Sequence, residues 1–381
     1  MRINQRLLEY RIRYPFLFID YLSWLIFDFS KFKLIRKEKI KKVLIIHTGA
    51  IGELITITPI IKELRKQLNC SVDCLIKENM YDLLKSNPNI NNILFYSDDF
   101  NELLSKIKDK DYDLAVIFQA SFKNALLCFK AGIRYRIGGF SRIKRFPTFF
   151  YTRRTFPVVL MHSLEYSFKI VEKVGIKKPH FLKTEVFIGI KNEEKIKELL
   201  RNLKVTSYAL IHPGFGPARK KSPPRFWQNE NYSKIADYLF EKYNLKIIFT
   251  GLEDQKSIIE KIISNCNYKR NMINLAGETN LQEFCALVKN AKFVLAPDTG
   301  ASHIAASFGV YLVNLMDAPI EEWKPIGIKD KIINIHHPRE IKLFEKGKLF
   351  KKTGGIISIS IEEIKKAINI LLAKKTFNTL A

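Results

Sequence analysis

Four short stretches of the chain hold residue types that can do chemistry. The first is His47-Thr48-Gly49-Ala50-Ile51-Gly52-Glu53, directly after the apolar run Val43-Leu44-Ile45-Ile46. A buried strand that ends in a glycine-containing loop and opens a helix brings backbone N–H groups and a helix dipole to one place. Glu53 would stand in the first helical turn, where a carboxylate can act as a general base. The same position also suits a charge that only complements the dipole. The loop is neither a Walker A loop, since no Gly-Lys-Ser/Thr follows, nor a GxGxxG turn.

The second stretch is Asp298-Thr299-Gly300-Ala301-Ser302-His303, which reads as a strand end, a polar turn and a helix N-terminus. Such a start offers unpaired N–H groups to an anion, and Asp298 can accept hydrogen bonds from sugar hydroxyls. Plain helix capping by Asp298 or Thr299, and a helix histidine at His303, are the bland alternatives. The third is Arg219-Lys220-Lys221-Ser222-Pro223, beyond the His212-Pro213-Gly214-Phe215-Gly216-Pro217 loop. A cation there can neutralise a diphosphate without metal, or be ordinary solvated surface. The fourth is residues 114–164, which hold no Asp or Glu but nine Lys and Arg, interleaved with Phe140, Phe146, Phe149, Phe150 and Tyr151. A phosphorylated, lipid-linked or nucleic acid partner fits that pattern.

These stretches need elements to position them. Helical periodicity over 60–68, 80–85 and 100–107 alternates with strand patterns over 71–76, 92–96 and 114–118. The alternation restarts with a helix over 193–203 and a strand over 208–211. It continues with helices over 232–243, 255–263, 281–290 and 302–308 between strands over 246–250, 271–275, 292–296 and 311–315. Strands alternating with helices predict βαβ units and parallel sheets. The economical reading is two Rossmann-like halves, with ligands at the carboxyl ends of the strands in a cleft between them. A final helix over 361–373 has a Ser360 cap.

Composition narrows the partners. The 381 residues carry 64 Lys and Arg against 38 Asp and Glu, a formal charge of +26, within a 47% hydrophobic chain. Aromatics at 12% exclude a disordered polyelectrolyte. Cys70, Cys74, Cys128, Cys266 and Cys285 form no CxxC pair, so they are expected as small core residues in a reducing compartment rather than as a zinc site. No metal-binding carboxylate cluster is apparent. The apolar run over 14–29, broken by Asp20, Ser23 and Asp28, is too short for a spanning helix and has no cleavage site of a signal peptide. With Arg2, Arg6, Arg11 and Arg13 before it, it suits either an interfacial helix on an anionic leaflet or a helix packed on its own domain.

Together the motifs resemble glycosyltransferase family nine, the ADP-heptose:lipopolysaccharide heptosyltransferases. The resemblance covers roughly residues 41–372. "KKVLIIHTGAIGELITITPIIKELR" is similar to that family's first strand, GxxGD-type loop and TxP helix start. "YALIHPGFGPARKKSPPRFW" resembles its second-domain opening, "FVLAPDTGASHIAASFGV" its DTGxxH donor motif, "EEWKPIG" its W-x-P-x-G segment and "SISIEEIKKAINILL" its closing helix. Glu53 stands where the family has a catalytic aspartate, one methylene shorter. "LMDAP" replaces the usual Gly-Pro, and residues 1–40 are an extension.

The resemblance implies an α/β GT-B fold of two Rossmann-like domains facing a cleft. It divides the chain into a basic amphipathic extension (1–40), an acceptor domain (41–190), a donor domain (191–355) and a C-terminal helix (356–381) expected to pack back across the cleft. It implies Glu53 as base and Gly214, Lys220, Glu253, Asp298, Thr299, Gly300 and His303 as donor-binding residues. Gly49, Gly52, Arg134, Arg136, Arg142, Lys144 and Arg145 fall on the acceptor side. The expected reaction is inverting heptose transfer from ADP-heptose to a phosphorylated glycolipid of the lipopolysaccharide inner core, with no metal or other cofactor. The expected location is the cytoplasmic face of a bacterial inner membrane, with the extension on the membrane surface. A GT-B transferase using another nucleotide-sugar or a protein acceptor is the alternative. A non-catalytic nucleic acid binder is weaker, because it lacks RRM, KH and zinc-finger signatures and leaves two nucleotide-type halves unexplained.

Overall fold

The computed structural model describes residues 35–119, 121–139, 150–155, 161–214, 227–317, 319–338, 340–345, 348–353 and 355–377. Arg142, Lys144, Arg145, Lys220 and nearly all of the N-terminal extension therefore lie outside the described residues. The chain forms two compact units. The first takes residues up to Gly49, Ile60–Tyr81 and Pro88–Pro179; the second takes Ala50–Pro59, Asp82–Asn87 and everything from His180 on.

The first unit is built on six parallel strands: β1 (Lys42–His47), β2 (Ser71–Ile76), β3 (Asn92–Phe95), β4 (Leu114–Ile117), β5 (Tyr135–Gly139) and β6 (Arg153–Thr155). Their order is β3-β2-β1-β4-β5-β6. Leaving β1 the chain forms α1 (Ile51–Thr56) and α2 (Thr58–Leu68). It then forms α3 (Tyr81–Leu84) after β2, α4 (Phe100–Lys108) after β3, α5 (Phe122–Lys130) after β4 and α6 (Ser163–Val171) after β6. All of β1 beyond Lys42 is buried, which is why a strand covered on both faces reads as an unbroken apolar run. The Asp99 carboxylate caps α4 by accepting from the N–H groups of Asn101 and Glu102. Leu44, Ile46, Ala115 and Ile117 of the sheet pack with Leu103, Ile107, Ala125 and Leu127 of α4 and α5.

The second unit repeats the plan. Its elements are α7 (Ile190–Asn202), β7 (Tyr208–Ile211), α8 (Asn229–Tyr243), β8 (Lys246–Phe249), α9 (Lys256–Ser264) and β9 (Met272–Asn274), followed by α10 (Leu281–Asn290), β10 (Phe293–Pro297), α11 (Gly300–Phe308), β11 (Tyr311–Met316), α12 (Ile320–Trp323) and β12 (Ile332–His336). The strand order is β12-β11-β10-β7-β8-β9, the same arrangement as in the first sheet when counted from each unit's first strand. A hairpin, β13 (Glu340–Glu345) and β14 (Lys348–Thr353), precedes α13 (Ile361–Phe377). The α10 start is a capping box, with Asn280 and Glu283 each bonding the other's backbone N–H.

Two expectations about the division of the chain need correcting. The C-terminal helix spends its apolar face on the second unit's own core: Ile364, Ile368 and Leu371 pack with Trp227, Tyr232 and Phe249, and Trp227 Nε1 donates to the Ile359 carbonyl at 2.8 Å. The boundary is also not a single cut near residue 190. Thr58 Oγ1 accepts from the Glu185 N–H at 2.9 Å. The fully buried Gln282 accepts from the Gly189 N–H at 2.8 Å and donates to the carbonyls of Asp82 and Phe187. These bonds bind Ala50–Pro59 and Asp82–Asn87 to the second unit.

All five cysteines are buried free thiols, as expected of core residues. Among the described residues no helix is long and apolar enough to cross a membrane.

Candidate functional site

In each sheet the strand order reverses between the first and fourth strands, and the carboxyl ends flanking that reversal are where open parallel sheets bind ligands. In the second unit the flanking strands are β7 and β10. The β7 loop reaches Gly214 at a left-handed φ of +74°, and a Cβ there would stand 2.5 Å from Pro297 Cγ and 3.0 Å from Thr299 Cγ2. Only glycine satisfies both the backbone angle and that approach. Gly214 and the Pro297–Thr299 turn are thereby held together.

Thr299 is the N-cap residue of α11 but does not cap it with its side chain, which instead donates to the Pro297 carbonyl at 3.1 Å. Ser302 Oγ folds back to the Thr299 carbonyl at 2.8 Å. The Thr299 hydroxyl therefore does not cap the start of α11, a positive dipole end of the kind that suits an anionic oxygen. Asp298 is half-buried beside it, its N–H bonded to the Leu315 carbonyl at 2.9 Å. The helix stops at Gly309, φ +67°.

α1 packs directly on α11. A Cβ on Gly52 would lie 2.6 Å from Cδ2 and 2.9 Å from Nε2 of His303, and a Cβ on Gly300 would lie 2.7 Å from Ile51 Cγ2. Two glycines thus let the helices interlock, Gly52 against the buried His303 ring and Ile51 over Gly300. Glu53 follows in the first turn of α1, half-buried. The candidate base and the candidate diphosphate-binding helix start are therefore carried on one rigid pair of helices.

Glu253 opens a short 3₁₀ turn after β8, at the same carboxyl edge as Gly214 and Asp298, and its carboxylate packs over Gly277, φ +76°. Gly49 lies in the loop leaving β1, where the neighbouring Thr48 N–H donates to Gln119 Oε1 at 3.1 Å.

Arg134 and Arg136 are not placed as the acceptor reading expects. Arg134 immediately precedes β5 and Arg136 is its second residue, so both stand at the amino edge of the first sheet, away from the carboxyl ends. Arg136 is moreover buried. Its Nε donates to the Phe150 carbonyl at 2.6 Å, and one terminal nitrogen reaches the carbonyls of Ile133 (2.6 Å) and Arg134 (3.3 Å). A guanidinium bonded to these backbone carbonyls ties β5 to the chain entering β6.

Residues that sequence reasoning missed share the carboxyl edges. His212 follows β7 with Nδ1 3.1 Å from Thr250 Oγ1, its ring 5.5 Å from that of Phe284. Ile51 is the wedge on Gly300, and Asp317 is a buried carboxylate at the end of β11. A carboxylate or histidine directly after an apolar strand was the available signal.

Burial lowers the His212 pKa to about 4. In the first unit, burial and then the charge of Lys77 lower that of His47 to about 3. Both rings stay neutral in the folded protein where an unfolded histidine, with its ordinary value near 6.5, binds a proton. Unfolding therefore takes up protons below about pH 6.5, and acid favours the unfolded chain. Stability is expected to fall as pH drops from about 6.5 toward 4, by on the order of 1 kcal/mol per pH unit for each ring. Urea unfolding at pH 7, 6 and 5 checks this, and His212→Gln should shrink the slope.

Residues 101–353 match the sequence profile of glycosyltransferase family 9 (heptosyltransferase). The chain is 24% identical over 361 residues to the lipooligosaccharide heptosyltransferase 2 of Haemophilus influenzae, covering 87% of this chain and 99% of that one. It is also 24% identical over 319 residues to the lipopolysaccharide core heptosyltransferase OpsX of the same organism, covering 81% and 88%. The fold matches the solved structure of the Escherichia coli ADP-heptose LPS heptosyltransferase II with a TM-score of 0.71 at 19% identity, over 88% of this chain and 99% of that one. Two parallel six-stranded sheets in this topology are the GT-B arrangement. The chain belongs to glycosyltransferase family 9 and is a glycosyltransferase.

Proposed function

We propose that the protein transfers a heptose from ADP-heptose to a lipopolysaccharide inner-core acceptor by a single inverting displacement that needs no metal. The interlocked α1–α11 pair is the observation that carries this reading, because it couples a carboxylate to an anion-binding helix start. An acceptor hydroxyl attacks the anomeric carbon from the face opposite ADP, and Glu53 takes its proton. The new glycosidic C–O bond forms as the bond from that carbon to the β-phosphate oxygen breaks, with inversion. The charge left on ADP is met by the Thr299–His303 start of α11 and by Lys220, while Asp298 holds sugar hydroxyls. Groups already oriented toward a developing charge lower the barrier more than groups that must reorganise. Glu253, Gly214 and the loops around them would hold the nucleoside.

Support for the substrates comes from the names of the relatives, which act on lipopolysaccharide or lipooligosaccharide and, in the solved E. coli enzyme, use ADP-heptose. The test offers ADP-heptose beside UDP- and GDP-sugars, with inner-core glycolipid as acceptor, and reads products by mass spectrometry. A heptose-sized mass gain from ADP-heptose alone is expected; transfer from a UDP- or GDP-sugar instead, or onto protein, overturns the assignment. The same reading puts the enzyme on the cytoplasmic face of the inner membrane, held there by residues 1–40. Removing residues 1–35 is expected to weaken binding to anionic vesicles at least tenfold; unchanged binding would rule the extension out as an anchor.

A further inference from the structure

The acid-free stretch was read as an acceptor surface, yet its described cations do not gather at the carboxyl edge of the first sheet. They gather with aromatic rings on α5 and the amino edge. Phe129, on the last turn of α5, is 50% exposed. Its ring centroid lies 5.1 Å from that of Phe150, which lies 5.4 Å from that of Phe122. The Arg136 guanidinium sits 5.3 Å from the Phe129 centroid, and Lys130 Nζ 5.9 Å from that of Phe100. Arg134, exposed, lies one short turn beyond. α5 carries no carboxylate, and among the described residues neither Lys130 nor Arg134 is paired with one. Acidic residues flank the face at both ends: Lys123 donates to the Asp98 carbonyl at 2.6 Å near Asp99 and Glu102, and at the amino edge the Asp113 carbonyl accepts from the Tyr135 N–H at 3.0 Å while its carboxylate accepts from the N–H groups of Lys41 and Lys42.

We infer that this face, centred on Phe129, Phe150, Lys130 and Arg134, is a docking surface for an anionic lipid leaflet. An aromatic ring half out of water costs free energy unless it is covered, and rings of this kind are accommodated at the headgroup boundary. Lys and Arg beside them are drawn to an anionic surface. Because the face stands at the amino edge, docking leaves the strand carboxyl ends uncovered. The inference depends on neither the donor nor Glu53, so it stands or falls separately from the proposed reaction.

The experiment places an environment-sensitive fluorophore on the full chain through Phe129→Cys. All five native thiols are buried, so the introduced one is labelled. Glu198→Cys on the exposed side of α7 is the control. With vesicles containing phosphatidylglycerol, emission at position 129 is expected to shift to the blue and rise at least twofold. Position 198, and either position with pure phosphatidylcholine, should stay unchanged. Phe129→Ser combined with Lys130→Glu should lower the vesicle partition coefficient about tenfold, with ADP-heptose binding and melting temperature kept. A silent label at 129 on vesicle-bound protein overturns the inference. So does unchanged partition of the double variant, or a response to duplex nucleic acid but not to vesicles.

Discussion

Glu53→Gln is expected to reduce transfer about 10²- to 10⁴-fold while leaving ADP-heptose affinity within about twofold, the range general-base removal covers. The amide matches the carboxylate in size, so the first turn of α1 and its packing on α11 should survive. What is lost is the capacity to accept a proton as the acceptor hydroxyl attacks. Because that loss is felt only in the transition state, kcat should carry it rather than KM for the donor. ADP release measured under saturating substrates, with donor binding followed by calorimetry, separates the two. Near-normal turnover with intact donor binding would falsify the base assignment. Glu53→Asp, which restores the residue usual in the family, shortens the reach by one methylene. It should keep more activity than the amide, since a base must come within about 3 Å of the proton it removes.

The second large effect is expected from Gly52→Ala. The added methyl would be forced against the ring of His303, 2.6 Å from Cδ2, and that ring is buried and cannot swing aside. α1 must then shift off α11, and overpacking of this kind costs about 1–3 kcal/mol. The shift moves Glu53 relative to the helix start that would hold the diphosphate. Transfer should fall more than tenfold, beyond what lost stability alone explains, since a displacement of about 1 Å is enough for such losses. The matched control is Gly132→Ala, at a φ of +76° with nothing within 4 Å of its Cβ. It carries backbone strain of about 1 kcal/mol without touching the site. A melting temperature and kcat measured for both variants distinguish a positional loss from a general one; equal activity losses would sink the coupling of α1 to α11.

Much of the fold was open to reading because parallel strands buried on both faces leave unbroken apolar runs, and amphipathic helices mark their ends. β2 and α10 fall on the spans their patterns predict, and α13 starts at its Ser360 cap. The stretch holding α5, β5 and β6 was not resolved into elements. There cations occupy strand positions, Arg136 in β5 and Arg154 in β6, and Gly138 and Gly139 break the β-forming pattern. Both arginines are buried, and the Arg136 guanidinium is bonded to the carbonyls of Ile133, Arg134 and Phe150, a placement that no local pattern announces. The hairpin β13–β14 was hidden in the same way by its run of lysines. At the site, the motif residues stood out because strand-end loops must be polar or small. The Ile51–Gly300 and Gly52–His303 contacts could not be seen, because they join segments far apart in the chain and depend on the depth to which one helix sinks into another.

That separation has a consequence for how the molecule is made. α1 is synthesised early but completes a unit whose other face, α11, emerges about 250 residues later. Contacts of such long range bear the full loop-closure entropy before they return any stabilisation, and they form late in folding. A nascent chain must keep Ala50–Pro59 unassigned, beside a first sheet already able to form, until almost the whole sequence has left the ribosome. Severing the chain near residue 180 would therefore not yield two self-sufficient halves: the C-terminal fragment would lack the helix that seats on Gly300 and His303. Pairing of α1 with α11 thus waits on chain made long after α1 itself.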